Sequence, residues 1–364
     1  ESELPHIMDP AGETYFRQEG RGLVIGIYEQ ACEPWAVDGT SWDFGAELLP
    51  DNLDRIEVPL AEAYHRYPCL GTAGIKRVIN GPFTFAPDGN PLVGPMPGLP
   101  GYWCACAVMA GFSQGGGVGR TVAEWMIEGE PSSDVFAMDV ARFGDYTNKD
   151  YTRLKAMENY QRRFAITYPN EELPAARPLH TTPAYDIWKE QNAVFGAAHG
   201  MEVVNYFAPT GEEPYEIPSF RRSNAFAVVG SECHAVRTAV GLNEIHNFSK
   251  FEVTGAGAEE WLSYILANRM PKPGRITLSP MLNPNGKLIG DLTVSHISAG
   301  RYQIVGSYGA QAYHMRWFQS HLPNSGVDLR NISDERIGFQ IAGPRARDLL
   351  ARITNQDLST ETFP

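Results

Sequence analysis

Basic residues are scarce in this 364-residue sequence, which has 30 Lys and Arg against 43 Asp and Glu and a net charge of −13. A protein that binds nucleic acid or an anionic membrane through its overall charge needs a basic surface, so the sequence argues against both classes. Long apolar runs are also missing, because the longest, Tyr102–Phe112, is far shorter than the roughly 18 residues that span a bilayer. Five cysteines are too few for a disulfide framework in a chain of this length, which favours a reducing compartment.

The spacing patterns of metal sites are absent as well. Neither H-E-x-x-H nor a paired C-x-x-C occurs in the sequence. Cys104 and Cys106 alternate along a predicted buried strand, so at most one of them faces a given side. His314 and His321 lie seven residues apart on a predicted helix, where a core or surface pair is the commoner explanation. No metal is therefore predicted.

Glycine and proline are plentiful, with 36 and 27 residues, which indicates many turns and strands. Three regions differ in composition. Residues 1–130 are rich in glycine, proline and aromatic residues, 131–186 have mixed charge and many tyrosines, and 187–364 alternate strands with turns. We expect a first domain, a connector and an α+β domain with these bounds. The chain begins without Met and ends without a terminal helix, so we expect an internal piece of a longer polypeptide.

Hydrophobic periodicity and turn residues predict the secondary structure. Strands are expected at 23–28, 74–85, 102–110, 250–253, 288–294 and 302–306, and helices at 118–127, 149–164, 257–267, 310–321 and 344–352. Pro87-Asp88-Gly89 predicts a turn, because proline presets φ and glycine tolerates a positive φ.

The strongest local signal is a glycine-rich segment between a predicted strand and a predicted helix. It consists of Gly111, Phe112, Ser113, Gln114, Gly115, Gly116 and Gly117. Unpaired N–H groups and the helix dipole at a helix start favour an anion or a polar ring edge, and glycines let a cofactor approach the backbone. Because position 120 is Arg, the dinucleotide pattern G-x-G-x-x-G is not completed. Close helix–strand packing without a ligand is the alternative.

The same segment contains a G-x-S-x-G pattern, which is typical of a hydrolase nucleophile elbow when it joins a strand to a helix. Ser113 would be the nucleophile, and an acid and a histidine would have to follow it in the chain. The pattern is short and arises often by chance, so the hydrolase stays a remote alternative.

Asp291 interrupts an apolar predicted strand that follows the turn Asn283–Gly286. Burial of an unpaired carboxylate is costly, so this position indicates either a functional or an exposed carboxylate. A functional Asp291 would bind a ligand rich in N–H groups or assist proton transfer. A solvent-facing position or an arginine partner is the alternative.

These segments together resemble the dimethylglycine and sarcosine dehydrogenase family, in which a flavin-dependent amine oxidoreductase is fused to a T-protein-like folate domain. The resemblance covers nearly the whole chain in order. The residues that carry it are Tyr15–Glu19, Pro87–Gly89 with Gly94-Pro95, Gly115–Gly119, Tyr215–Arg222, Met281–His296, Arg316-Trp317 and Ala342–Arg347.

The resemblance implies an α/β and α+β multidomain architecture. Residues 1–130 would be the C-terminal part of a D-amino-acid-oxidase-like FAD domain, 131–186 a connector, and 187–364 an incomplete T-protein-like folate-binding domain. The histidine that the family links covalently to FAD would lie outside this chain. The implied cofactors are FAD and tetrahydrofolate.

The resemblance also implies roles for single residues. Tyr15 would line the substrate pocket and orient the amine or its carboxylate. The segment from Gly111 to Gly117 would meet the flavin ring. Asp291 would assist methylene transfer to folate; T-protein has two adjacent aspartates at this point, and here the first is replaced by Gly290.

The implied reaction is oxidative demethylation of dimethylglycine or sarcosine, with the one-carbon unit passed to tetrahydrofolate. The electron acceptor would be oxygen or an electron-transfer flavoprotein, and the compartment the bacterial cytoplasm or the mitochondrial matrix. A folate-dependent aminomethyltransferase with a degenerate oxidase half is the alternative function.

Overall fold

In the computed structural model, which describes residues 4–363, the chain divides into two compact units. The first comprises residues 4–96, Gly101–Val140 and Thr147–Thr167, and the second Pro97–Pro100, Ala141–Tyr146 and residues 168–363. Both units combine helices and strands, as expected. The domain boundaries at 130 and 186 stay predictions.

The first unit is built on a three-stranded antiparallel sheet in the order β1-β2-β3. Its elements are β1 (Ile7–Asp9), β2 (Thr14–Glu19), β3 (Gly22–Ile27), α1 (Glu57–Arg66), β4 (Leu92–Pro95), β5 (Trp103–Cys106), α2 (Gly111–Glu128) and α3 (Lys149–Gln161). Phe16 on β2 packs against Ala63 of α1 and Leu70 in a small core. β4 and β5 form a separate antiparallel pair.

The second unit contains a five-stranded antiparallel sheet in the order β10-β11-β12-β9-β13. Its elements are α4 (Tyr185–Glu190), β6 (Ala193–Ala198), β7 (Met201–Phe207), α5 (Ala225–Thr238), β8 (Gly241–Glu244), β9 (Phe248–Thr254), α6 (Ala258–Ile265), β10 (Ile276–Leu282), β11 (Leu288–Ser298), β12 (Arg301–Ser307), α7 (Gln311–Ser320), β13 (Asp328–Asn331), β14 (Phe339–Ala342) and α8 (Ala346–Leu350). Alternate residues of the sheet, such as Phe251, Leu292 and Ile304, are fully buried against Leu262 of α6 and Phe318 of α7. The period-2 pattern of these strands therefore directs one face of the sheet to the helices.

Most elements predicted in the second unit are confirmed, because its strands and helices have clean amphipathic periods. The predicted strands at 250–253, 288–294 and 302–306 lie in β9, β11 and β12. In the first unit, the turn at Pro87–Gly89 is confirmed: Gly89 has φ of 76° and donates to the Ala86 carbonyl oxygen at 3.0 Å.

Two strand predictions in the first unit are wrong. Residues 74–85 form no strand in the described chain; Asn80 makes one isolated bridge, and Ile75 and Ile79 are exposed. Gly81-Pro82 breaks this run, since proline supplies no ladder donor. The predicted buried strand at 102–110 is shorter: β5 ends at Cys106, which is exposed.

Candidate functional site

A cavity of about 320 Å³ lies in the first unit, within the size range of small-molecule sites. Its lining residues come from β1, β2, the residue after β3 and the segment after α3: Met8, Tyr15, Tyr28, Arg163 and Phe164. Aromatic rings dominate the walls, and the guanidinium group of Arg163 is the formal charge among the lining side chains. The arrangement suits a small ligand that has apolar groups and one anionic end.

Tyr15 reaches this cavity because of the residue opposite it in the sheet. Tyr15 and Gly26 are paired across β2 and β3. A Cβ atom on Gly26 would lie 1.8 Å from Tyr15 Cζ, so the phenol ring lies across the glycine. A glycine inside a strand often marks such a close approach. Gly26 therefore sets the position of the predicted catalytic tyrosine.

Tyr28 forms the centre of an aromatic cluster beside the cavity. Its ring centroid lies 5.1 Å from that of Tyr160, 5.2 Å from that of Phe164 and 6.5 Å from that of Tyr15. The Arg163 guanidinium lies beside the Tyr28 hydroxyl, since both residues line the cavity and the arginine charge acts on the phenol. Burial raises the pKa of Tyr28, and the positive charge of Arg163 opposes that rise. The phenol therefore keeps its proton at neutral pH.

Behind this cluster, the Glu29 carboxylate is held by two donors. It accepts a hydrogen bond from the Tyr160 hydroxyl and pairs with Arg55 at 2.5 Å. Burial, together with the hydrogen bond to Glu29, raises the pKa of Tyr160. The nearby carboxylate is thus already paired, and it fixes Tyr160 on α3 against Tyr28.

The glycine-rich segment is part of the helix, which corrects the predicted helix start at residue 118. α2 begins at Gly111, so Gly111, Phe112, Ser113, Gln114, Gly115, Gly116 and Gly117 all lie in its first two turns. Ala110 precedes the helix and supplies no side-chain cap. A Cβ atom on any of these glycines would meet nothing within 4 Å, and the Phe112 side chain is fully exposed. The start of α2 is thus an open surface of small residues with the positive end of the helix dipole.

Ser113 does not have the surroundings of a hydrolase nucleophile. Its hydroxyl donates to the Ala110 carbonyl oxygen at 3.1 Å, inside the first turn of α2. The helix has started two residues earlier, so Ser113 is not at a strand–helix elbow. Within residues 4–363, no histidine hydrogen-bonds its hydroxyl.

In the second unit, Asp291 lies on β11 and is exposed. This agrees with the solvent-facing position that the sequence pattern indicated as one alternative. The preceding residue, Gly290, belongs to the face that packs on α7: a Cβ atom there would lie 2.5 Å from His314 Nε2. The same imidazole approaches Gly306 on β12, with Nδ1 3.4 Å from the corresponding Cβ position. His314 thus lies between two glycines, one on each neighbouring strand.

His314 is 3% exposed, and its Nε2 lies 3.4 Å from the Ile289 carbonyl oxygen. Burial lowers the pKa of His314, and the negative charge of Asp291 opposes that effect. The imidazole is therefore neutral at pH 7 and packs as part of the core beneath the strand that carries Asp291.

The structure separates the residues that the sequence singled out. Tyr15 lines the cavity, 111–117 are not among its lining residues, and Asp291 belongs to the other unit. Sequence reasoning missed Tyr28 and Arg163, which complete the cavity. No local signal marked them, because Tyr28 is an isolated aromatic residue at the end of a predicted strand and Arg163 is the second of two arginines near the end of a predicted helix. Among the described residues, no group of three metal-ligating side chains occurs, and no helix is long and apolar enough to cross a membrane.

Three family models match successive parts of the chain. The FAD dependent oxidoreductase model matches residues 1–125, the FAD dependent oxidoreductase central domain matches 128–182, and the GCVT N-terminal domain matches 184–364. Together they account for nearly every residue, in the order that the resemblance implied.

Curated relatives match over almost the full chain. Mitochondrial dimethylglycine dehydrogenase of Homo sapiens is 36% identical over 368 residues, covering 99% of this chain and 42% of that protein. Mitochondrial sarcosine dehydrogenase of Homo sapiens is 29% identical over 410 residues, covering 99% and 44%. The mitochondrial pyruvate dehydrogenase phosphatase regulatory subunit of Mus musculus is 29% identical over 373 residues, covering 100% and 42%.

The chain spans less than half the length of each of these relatives. The oxidoreductase and GCVT regions nevertheless follow one another within it, and the identity extends through both. The family resemblance drawn from the sequence is thereby confirmed: the chain belongs to the dimethylglycine and sarcosine dehydrogenase family, with an FAD-dependent oxidoreductase region followed by a T-protein-like region.

Proposed function

We propose that this chain is part of an FAD-dependent enzyme that oxidises an N-methylated glycine, dimethylglycine or sarcosine, and passes the one-carbon unit to tetrahydrofolate. The observation that carries the proposal is the aromatic cavity around Tyr15 and Tyr28, in a chain 36% identical to a dimethylglycine dehydrogenase. A methylated ammonium group is attracted to the faces of aromatic rings, so this cavity suits the amine end of such a substrate.

Tyr15 is the residue of this chain that we place beside the reacting amine. Its ring is fixed over Gly26, and its side chain remains 41% exposed toward the cavity and solvent. The phenol can therefore orient the amine or its carboxylate through one hydrogen bond without moving.

The start of α2 fits a flavin. Its glycines leave an open surface, and the helix dipole there favours a polar ring edge. We assign Gly111–Gly117 to this role, with Phe112, Ser113 and Gln114 presenting their side chains around it. The chemistry that FAD supplies when bound is acceptance of a hydride from the N-methyl carbon.

The folate role rests on Asp291. Its carboxylate is exposed on β11 and has no ion pair within the described chain, so it can accept hydrogen bonds from the N–H groups of a folate. The chemistry that tetrahydrofolate supplies when bound is an amine nitrogen that takes up the one-carbon unit. Gly290 leaves Asp291 as the one acidic residue at this point of the strand.

Molecular oxygen or an electron-transfer flavoprotein would complete the redox cycle, and the first relative's name places a eukaryotic enzyme of this kind in mitochondria. A second candidate function is a T-protein-like module whose oxidase half is inactive. It is favoured by the 29% identity to a protein named as a phosphatase regulatory subunit.

The test is the visible spectrum of the full-length protein that contains this chain, recorded before and after dimethylglycine is added without air. We expect a flavin band that bleaches with the amine, and slower bleaching in Tyr15→Phe. The control variant Tyr102→Phe changes another exposed tyrosine, one that is not among the cavity's lining residues, and should bleach like the wild type. A protein that stays colourless after reconstitution with FAD would move the function to the folate-binding module.

A further inference from the structure

Arg163 carries a positive charge at the cavity that no acidic side chain of residues 4–363 neutralises through an ion pair. The guanidinium lies instead beside the Tyr28 hydroxyl in the cavity lining. The carboxylate of this aromatic cluster, Glu29, is already held by Tyr160 and Arg55. In a chain with a net charge of −13, an arginine left without a carboxylate at a cavity wall is available to a ligand.

The other lining residues differ in chemistry from Arg163. Tyr15 and Phe164 present aromatic rings, and Met8 presents a thioether, so these residues carry no formal charge. Aromatic faces attract methylated ammonium groups, whereas a planar guanidinium binds a carboxylate through two parallel hydrogen bonds. The cavity therefore presents one cationic group and several aromatic faces, which match the carboxylate and the methylated ammonium group of an N-methylated amino acid.

We propose that Arg163, oriented by Tyr28, binds the carboxylate of the substrate, so that the cavity accepts N-methylated amino acids and rejects N-methylated amines that lack an acid group. This inference rests on the proposed function, and it deepens it by naming the residue that selects the substrate class. Tyr28 lies beside Arg163 and retains its own proton, which it can donate to the same carboxylate.

The geometry of the chain supports an orienting role for Tyr28. Its ring is packed by Tyr160 and Phe164, with centroids 5.1 and 5.2 Å away, so the hydroxyl is held in place. Arg163 follows the end of α3, and its backbone N–H donates to the Tyr160 carbonyl oxygen at 3.1 Å. The Tyr28 ring and the Arg163 backbone are therefore held at the same helix end before a ligand binds, which lowers the ordering cost of binding.

The test measures binding separately from oxidation. Trimethylglycine has a carboxylate but no nitrogen lone pair to form an iminium ion, and choline has the same cation with a hydroxyl group instead. Calorimetric titration of the full-length protein should show Kd for trimethylglycine at least about tenfold below that for choline, since a charged hydrogen bond is worth about that much or more. Arg163→Gln should raise Kd for trimethylglycine roughly 10- to 100-fold and leave that for choline unchanged.

Three further variants sharpen the test. Arg163→Lys keeps the charge and should recover part of the affinity, and Tyr28→Phe should lose a smaller part than Arg163→Gln. Arg153→Gln removes a positive charge elsewhere on α3, where the arginine pairs with Asp150 at 3.5 Å, and should bind trimethylglycine like the wild type. Circular dichroism verifies that each variant is folded; Arg163 is exposed, so its replacement leaves no cavity in the core.

The outcomes distinguish this inference from the function it rests on. Equal binding of trimethylglycine and choline by the wild type, no binding of trimethylglycine, or an unchanged Kd in Arg163→Gln would overturn the role of Arg163. If dimethylglycine still bleaches the flavin in that case, the proposed function stands without this anchor. If trimethylglycine binds through Arg163 but no N-methylated amine bleaches the flavin, the binding site stands and the oxidase function is lost.

Discussion

Replacing Gly290 with alanine places a methyl group against a buried imidazole. The new Cβ atom would lie 2.5 Å from His314 Nε2, closer than real Cβ contacts, and 3.0 Å from Cε1. His314 is 3% exposed and is approached from its other side by Gly306, so the ring cannot simply turn away. The backbone at Gly290 lies outside the positive-φ region, so the substitution tests packing alone.

The magnitude follows from two opposing effects. Forcing an extra methyl group into a packed core costs about 1–3 kcal/mol, while replacing glycine with alanine restricts the unfolded chain and gains about 0.4–1 kcal/mol. We therefore expect Gly290→Ala to lower the free energy of unfolding of the second unit by roughly 0.5–2 kcal/mol. Urea unfolding followed by tryptophan fluorescence measures it, because Trp261 and Trp317 belong to this unit's core.

Two controls separate the clash from a general effect of alanine. Gly230 lies in α5 with nothing within 4 Å of a Cβ position, so Gly230→Ala should be neutral or stabilising by up to about 1 kcal/mol. In a His314→Ala background, the cost of Gly290→Ala should disappear, since the imidazole is gone. A Gly290→Ala protein as stable as the wild type, or an equal cost without His314, would refute the packing argument.

Three further predictions concern the stability of the individual elements. Arg177 pairs at 2.7 Å with Glu202, whose side chain is 4% exposed, so Arg177→Met leaves a buried carboxylate without its partner. The free energy of unfolding measured in urea should fall by about 3–5 kcal/mol, and a fall below about 1 kcal/mol would contradict a buried pair. Burial lowers the pKa of His246 and His314, so as pH falls below 6.5 the unfolded chain binds protons at these residues before the folded chain does. The melting temperature should therefore fall with pH in this range, and less steeply in His314→Gln. Asn148→Ala removes the side-chain oxygen that caps α3 and should cost about 1 kcal/mol of thermal stability, whereas Asn148→Asp should keep it.

The second unit was largely predictable from the sequence because its signals are local. Strands β9, β11 and β12 have one face directed to the helices, and the period-2 pattern of buried residues shows which. Helices α6 and α7 were found within three residues of their observed bounds for the corresponding reason. The pairing partners of these strands were not predicted, because register depends on contacts between distant segments.

The start of α2 shows where propensity misleads. Each glycine disfavours a helix by about 1 kcal/mol relative to alanine, so four glycines within 111–117 favour a loop when the segment is judged by itself. In the structure the helix extends through them from Gly111. Because the segment is helical, the argument that it contacts a flavin rests on the open surface of the helix and on a helix start that has no side-chain cap.

The sequence by itself determined the family, the order of its oxidoreductase and GCVT regions, and the candidate residues Tyr15 and Asp291, because ordered motifs over a whole chain are specific even when each is weak. Only the tertiary structure joined Tyr28 to Arg163, which are 135 positions apart and meet at the cavity. It also showed that Gly26 and Gly290 make room for Tyr15 and His314. A cavity and a close approach are formed by segments distant in the chain, so no local pattern of residues specifies them.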